Sequence, residues 1–243
     1  MYAKNTWEKY KDQLNEVFDY NEGYKHYISK NKTERACVKD SIKLAEEKGF
    51  KPLESFDTLK SGDKVYVTNR EKNIALFIIG KKPLTEGMRI LGAHIDSPRM
   101  DLKQNPLYES EGFTLADTHY YGGIKKYQWV TIPLSLYGVV CKKDGTVVDV
   151  VIGEDENDPV VGISDLLIHL SADQLDKKAA KVIEGENLDV TLGNMPLFGE
   201  EKDAVKANVL KLLKEKYDIE EEIRKISNLF NSMKFMKTNP LNF

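Results

Sequence analysis

Arg89-Ile90-Leu91-Gly92-Ala93-His94-Ile95-Asp96-Ser97-Pro98-Arg99 begins apolar and ends in a histidine, an aspartate two residues on, and a proline. Ile90 and Leu91 have the composition of a buried strand, expected over 89–95. Pro98 cannot donate a backbone hydrogen bond, so regular pairing should stop at or before it. His94 would then stand at a strand's carboxyl end, where open α/β sheets place their chemistry. In an extended His-x-Asp both side chains point to one face, because the strand period is two. A metal-binding imidazole needs its second nitrogen held by an acceptor or a nearby carboxylate. His94 therefore suits a metal ligand, with Asp96 as its orienting partner. On these residues alone, a structural histidine at a strand end is the plainer alternative.

Upstream of this stretch, residues 5–31 read as one or two helices with Gly23 as a break. Trp7, Tyr10, Leu14, Val17 and Phe18 recur at helical spacing, forming a stripe expected to dock on the rest of the protein. His26 falls on the polar surface. Thr33 is a good N-cap, Glu34 lies in the first turn and Gly49 suits the C′ position of the helix between them. Val65 to Thr68 and Ile74 to Ile79 are strand-like and flank the polar run 69–73, a hairpin signal.

Downstream, residues 99–123 are polar, aromatic and rich in loop formers, with one strand expected near Phe113 to Leu115. His119 belongs there as a surface or loop residue. Tyr127 to Ile132, Leu134 to Cys141 and Val147 to Ile152 are strand-like, the last two joined by a turn at Lys143-Asp144-Gly145. Glu154 to Asp158 is expected as an acidic exposed loop. Ser164 or Asp165 caps a short helix through Leu170, residues 173–187 make an exposed excursion, and Leu188 to Leu192 is a strand. Ala204, Val205, Val209, Leu212 and Leu213 line one face of a helix over about 201–216. Ile226, Leu229, Phe230, Met233 and Phe235 suggest a short helix or a frayed end.

The 243 residues are 41% hydrophobic and 31% charged, which implies a globular, charged protein. A net charge of −3 gives no reason to expect nucleic acid or an anionic membrane as partner. The N-terminal segment has no apolar signal core, and no run approaches the length of a membrane span. Cys37 and Cys141 lie far apart without ligand spacing, which suits two small core fillers in a reduced, cytoplasmic setting.

Gly92-Ala-His-Ile-Asp-Ser-Pro98, Tyr121-Gly-Gly123, Pro133-Leu-Ser-Leu-Tyr-Gly138 and Ile163-Ser-Asp-Leu-Leu-Ile-His-Leu170 occur in this order. Together they resemble the aspartyl aminopeptidase / aminopeptidase I family of zinc metallopeptidases, over roughly residues 20–220. The resemblance implies an α/β fold: the first part of a metallopeptidase domain (mixed sheet with helices) over 1–97. An inserted β-rich dimerisation domain follows over 98–220, then a divergent tail over 221–243. It implies zinc-dependent removal of N-terminal residues from peptides, two zinc ions per active site, and a homo-oligomer formed through 98–220. By the same resemblance His94 is a zinc ligand and Asp96 its orienting partner. His169 matches a histidine that reaches the neighbouring subunit's active site, although a helix histidine packed at an interface fits it equally.

A paired-zinc peptidase needs several ligands, including a bridging carboxylate, and a base to activate water. The family carries these in an Asp-Asp-Arg sequence, a Glu-Glu pair, a further aspartate and a late histidine. This sequence has no Asp-Asp-Arg and no histidine after His169. Glu221-Glu222 mimics the Glu-Glu pair, but Arg224 stands where the family has glycine, and a solvated charged face is the plain reading. The chain is therefore expected to resemble a truncated or frame-shifted member, inactive alone. The alternative is a non-catalytic oligomerisation or regulatory fragment that joins full-length relatives. Truncation would leave the apolar segments 74–79 and 89–95 with an unpaired edge.

Overall fold

The computed structural model describes residues 5–142, 144–218 and 234–237. The chain divides into two compact units, Met1–Ser97 and Pro98–Phe243.

In the first unit a short turn of helix, α1 (Thr6–Lys9), precedes α2 (Leu14–Lys30) and α3 (Glu34–Glu47). Thr33 Oγ1 accepts the Ala36 amide at 3.3 Å and starts α3. Gly49, at φ +82°, ends it: the Gly49 and Phe50 amides donate to the carbonyls of Glu46 and Ala45 at 2.9 and 3.0 Å. That double return is a Schellman motif, and glycine reaches its left-handed position without strain. α3 packs on a small mixed sheet in which β1 (Lys51–Pro52) is parallel to β2 (Lys64–Asn69). β2 is antiparallel to β3 (Asn73–Ile78), in the hairpin register Lys64↔Ile78 to Asn69↔Asn73. Val38, Ala45 and Val65 are among the buried apolar residues of this unit.

Three expectations fail in this unit. α2 runs through Gly23 without a break, since an exposed helical glycine costs only about 1 kcal/mol and does not by itself stop a helix. The aromatic stripe does not dock among the described residues: α2 has no buried residue, and Trp7 instead lies 6.4 Å from Phe18, ring to ring. Residues 89–95 form no strand, and Ile90 and Leu91 face solvent. An apolar run becomes a strand only where another strand offers it an edge. Among the described residues none does.

The second unit is a curled antiparallel sheet. β4 (Arg99–Ser110) and β5 (Phe113–Tyr121) form a long hairpin turned at Glu111-Gly112, both at positive φ. β6 (Pro133–Cys141) pairs with β7 (Val147–Ile152) and with β8 (Val161–Gly162). β8 also meets β9 (Val190–Gly193), which joins β5. After the single-turn α4 (Ala172–Leu175) and the longer α5 (Ala204–Tyr217), β10 (Lys234–Lys237) pairs with β4 on one side and β6 on the other. The order β10-β4-β5-β9-β8-β6 thus closes on itself, with β7 on the outer edge of β6.

Met100, Leu102, Ala116, Leu134, Val150, Leu188 and Val190 belong to one buried apolar cluster of this unit. α5 packs across β4, β5 and β9 through its Val205 and Leu213 face. Its N-terminus is held by Glu109 of β4, whose Oε2 accepts the Val205 and Lys206 amides at 2.9 and 3.0 Å. A carboxylate at that end also complements the helix dipole.

The segment 99–123 therefore carries two long strands rather than mostly loop. Its inward positions on β5 are Thr114, Ala116 and Thr118, small or polar residues that mask the alternation. On β4 a register shift between Leu102 and Leu107, with Asn105 at φ +51°, breaks the period. His119 accordingly sits on β5, exposed, and not in a loop. Residues 127–132 are not a strand: a 3-10 turn at Lys126–Gln128 leads into buried Trp129 and Val130. Cys141 is exposed at the end of β6, whereas Cys37 is buried. The expected helix at 164–170 shrinks to a 3-10 turn at Ile168–Leu170, because Asp165 Oδ1 accepts the adjacent Leu166 amide and Gln174 Nε2 instead of capping a helix. Of the tail residues named above, only the backbone of Phe235 lies within the described residues, in β10. Glu221 and Glu222 lie outside them.

The acidic loop is also less exposed than its composition suggests. Glu154 hydrogen bonds to Ser135 of β6, and Asp158 pairs with Lys216 of α5 while accepting the Gly153 amide at 2.9 Å. Burial pushes the Asp158 carboxyl up. The Lys216 ammonium and the Gly153 and Asp155 amides outweigh that and hold it below the usual carboxylate value. A carboxyl depressed in the folded state stabilises above its unfolded pKa of about 4 and loses that contribution as pH falls through the folded value. Asp158→Asn should therefore lower stability by about 1 kcal/mol at neutral pH, allowing for the half-exposed lysine. The difference from wild type should shrink as pH falls below the unfolded value and through the depressed folded one. Urea midpoints measured across this range check it.

Candidate functional site

The candidate metal ligand lies on irregular backbone. A 3-10 turn at Leu84–Glu86 ends in Gly87 at φ +100°, and residues 88–98 continue without regular pairing. The segment is tethered at its far end: Cys37 Sγ lies 4.0 Å from the Ile95 carbonyl, and Ser97 Oγ donates to the Lys32 carbonyl at 3.5 Å. Those contacts hold Ile95 to Ser97 against the start of α3 and leave His94 exposed.

His94 Nδ1 lies 2.9 Å from the Asp96 carbonyl and 3.2 Å from Asp96 Oδ1. Both are acceptors, so the nitrogen between them carries the proton. The neutral ring then presents a bare Nε2, the form that binds a metal. This is one imidazole, 84% exposed at its side chain. Among the described residues no group of three or more His, Cys, Asp or Glu converges to hold a metal ion. These residues alone do not fit a zinc site, which needs at least three protein ligands.

His169 belongs to the second unit, within the turn Ile168–Leu170. It is exposed, and so are its neighbours Leu166, Leu167, Ile168 and Leu170. Four exposed aliphatic residues around one histidine are surface of the kind that another chain covers. The composition predicts a helix for these aliphatics, and the chain instead makes a single 3-10 turn. The alternation-free run Leu-Leu-Ile-His-Leu was the signal that they share no single face.

Two polar clusters of the second unit were not anticipated. The Arg99 guanidinium, largely buried, donates through Nε to Asp101 at 2.8 Å and lies 3.8 Å from the Tyr121 ring centroid. Tyr108 donates to Asp189 at 2.5 Å, and Lys103 bridges Asp117 and Glu186 at 2.9 and 2.8 Å. Burial, then the Asp189 charge, push the Tyr108 hydroxyl up to about 12, and burial raises Asp189 as well. Both clusters tie β4 to its neighbours, and spacing of two along β4 was their only trace in the sequence. An apolar cavity of about 430 Å³ also lies between α5 and the sheet, lined by Leu102, Leu136, Ile152, Val209 and Leu213 among others.

Residues 27–230 match the family model of the aminopeptidase I zinc metalloproteases, M18. The chain belongs to the M18 family. A protein of Clostridium acetobutylicum named probable M18 family aminopeptidase 1 is 59% identical over 225 residues, covering 90% of this chain and 48% of that protein. The corresponding Thermotoga maritima protein is 47% identical over 222 residues, 91% of this chain and 48% of that one. The crystal structure of the Thermotoga maritima M18 aminopeptidase matches with a TM-score of 0.88 at 43% identity, over 98% of this chain and 51% of that chain. Aminopeptidase I of Clostridium acetobutylicum matches with a TM-score of 0.82 at 53% identity, over 98% and 53% of the two chains. Yeast aminopeptidase 1, at 22% identity and a TM-score of 0.64, shares the fold. This M18 chain thus spans about half the length of the curated relatives it matches. Among the described residues no helix is long and apolar enough to cross a membrane.

Proposed function

We propose that this M18 chain contributes one zinc ligand, His94 oriented by Asp96, to a metal-dependent aminopeptidase that removes N-terminal residues from peptides, and that it does not hydrolyse them unaided. The observation that carries this reading is the His94 ring, whose Nδ1 is occupied by Asp96 while Nε2 stays bare. One such nitrogen is a ligand and not a site, so the missing ligands and the general base must come from outside the described residues. On this reading residues 98–220 are the dimerisation domain and Pro98 opens it. His169 then reaches the active site of a neighbouring subunit, supported by its exposure among aliphatic residues that a second copy would cover. A Saccharomyces cerevisiae structure of the same fold is described as a dodecamer, in keeping with a homo-oligomer. The protein works in the cytoplasm, where its two free thiols stay reduced.

A second reading, an oligomerisation module without catalysis that joins full-length relatives, is favoured by the same aliphatic surface at 166–170. Zinc stoichiometry and aminopeptidase turnover on one dialysed sample test both. No retained zinc and no turnover are expected. Two tightly held zinc ions per chain with turnover would overturn the proposal. Recovery of the chain bound through 166–170 to an intact relative, without change in that relative's turnover, would favour the second reading.

A further inference from the structure

The cavity of about 430 Å³ in the second unit has apolar walls: Leu102, Leu136 and Val161 on the sheet side, all buried, and Val209 and Leu213 on α5. Packed interiors hold few voids larger than a water molecule, because walls that can move close in on them. Here α5 is pinned at both ends. Glu109 holds its first turn through the Val205 and Lys206 amides at 2.9 and 3.0 Å. At its last turn the Tyr217 hydroxyl donates to the Val151 carbonyl at 2.6 Å, and Lys142 pairs with Asp218 at 2.6 Å. Between the pins α5 already rests on β9, since a Cβ at Gly193 would stand 3.3 Å from Val209 Cγ2. The helix therefore cannot settle further, and the space stays open.

Its polar lining selects among ligands. Asn157, Glu215 and Lys216 are exposed, so the cavity meets solvent beside them. The charges there are already matched: Asp158 pairs with Lys216, and Glu215 faces Lys211 at 3.8 Å. A charged ligand would lose its hydration against walls that offer no uncommitted counter-ion. An uncharged one meets no such cost. The Tyr217 hydroxyl, its proton engaged by Val151, can still accept a hydrogen bond. Size sets the other limit. A dry cavity of about 150 Å³ holds benzene, so at the same filling about 430 Å³ takes roughly 17 non-hydrogen atoms.

We propose that the space between α5 and the sheet is a binding site for an uncharged, largely apolar small molecule of about that size, carrying one hydrogen-bond donor. Its body lies between Leu136 and Leu213, and its donor turns towards Tyr217. The site lies wholly within the second unit and is independent of the aminopeptidase reading.

The test is to titrate the full chain with two fluorescent dyes that share one ring system. Phenylnaphthylamine is uncharged, of the right size, and carries one N–H; anilinonaphthalenesulfonate adds a sulfonate to the same rings. Phenylnaphthylamine should bind saturably at one per chain, with a Kd on the order of 0.1 mM or tighter. The sulfonate should bind about tenfold more weakly or worse at this site. Leu213→Phe, which fills the cavity, should weaken phenylnaphthylamine about tenfold or more, with folding checked by the Trp129 transition. Leu167→Ser, on the exposed aliphatic surface, should leave binding within about twofold. Amide exchange of α5 in the wild-type chain should slow several-fold when the dye is added, which decides the matter if Leu213→Phe misfolds. Binding that never saturates, equal affinity for the two dyes, or α5 exchange unchanged by saturating dye would each overturn the proposal. So would a loss of binding in Leu167→Ser, which would assign the dye to the exposed surface.

Discussion

Leu188→Ala should destabilise the second unit by about 2–5 kcal/mol, the range for a buried leucine whose cavity cannot fully collapse. Leu188 has no exposed surface and belongs to the buried cluster with Met100, Ala116 and Val190. Its carbonyl accepts the Thr118 hydroxyl at 2.6 Å, so the backbone on which it sits is pinned to β5. Pinning matters, because a site that cannot relax inward keeps the void that truncation creates. The chain has two tryptophans: Trp129 is buried in the second unit, while Trp7 is exposed in the first. Denaturant unfolding followed by the Trp129 emission shift therefore reports on this unit within the whole chain. A loss below about 1 kcal/mol would mean that this buried cluster is not one close-packed core.

Such a core was only partly legible in the sequence, and the reasons are physical. Local signals held where local chemistry decides. Thr33 and Gly49 cap α3 as their side-chain chemistry dictates, the hairpin of β2 and β3 follows two apolar runs around a polar turn, and α5 follows its Val205–Val209–Leu213 spacing. Non-local requirements were invisible. Residues 89–95 have strand composition, but a strand exists only against another strand, and composition does not say whether one is present. β4 and β5 were hidden because a closed ring buries Thr114 and Thr118 beside Ala116, and inward threonines read as surface. The candidate site followed the same division. The contact of His94 with Asp96 was legible from a spacing of two and survives on irregular backbone. The exposed surroundings of His169 depend on how the chain folds between Asp165 and Gln174, and nothing local announced them.

Gly153→Ala should cost about 3 kcal/mol or more, because two independent penalties meet at one atom. Gly153 follows β7 at φ +95°, a conformation that L side chains rarely adopt, which alone costs on the order of 1–3 kcal/mol. A Cβ there would also stand 2.7 Å from the Leu134 carbonyl oxygen and 3.3 Å from Ser135 Cα, both backbone atoms of β6. Backbone cannot rotate away as the end of a side chain would. Leu134 cannot retreat either, since it is paired to Val161 of β8 and to Lys237 of β10. Gly145→Ala separates the two effects: its φ is +87°, but nothing lies within 4 Å of the added atom. That variant should lose only about 1 kcal/mol, the conformational part alone. The same Trp129 transition reads both. Equal losses would show that β6 yields to the added methyl and that its meeting with β7 is loosely packed. A larger loss at Gly153 would place close backbone contact at the strand that joins β7, β8 and β10. Motion of that strand would then reach both the loop holding Asp158 and the closure of the ring.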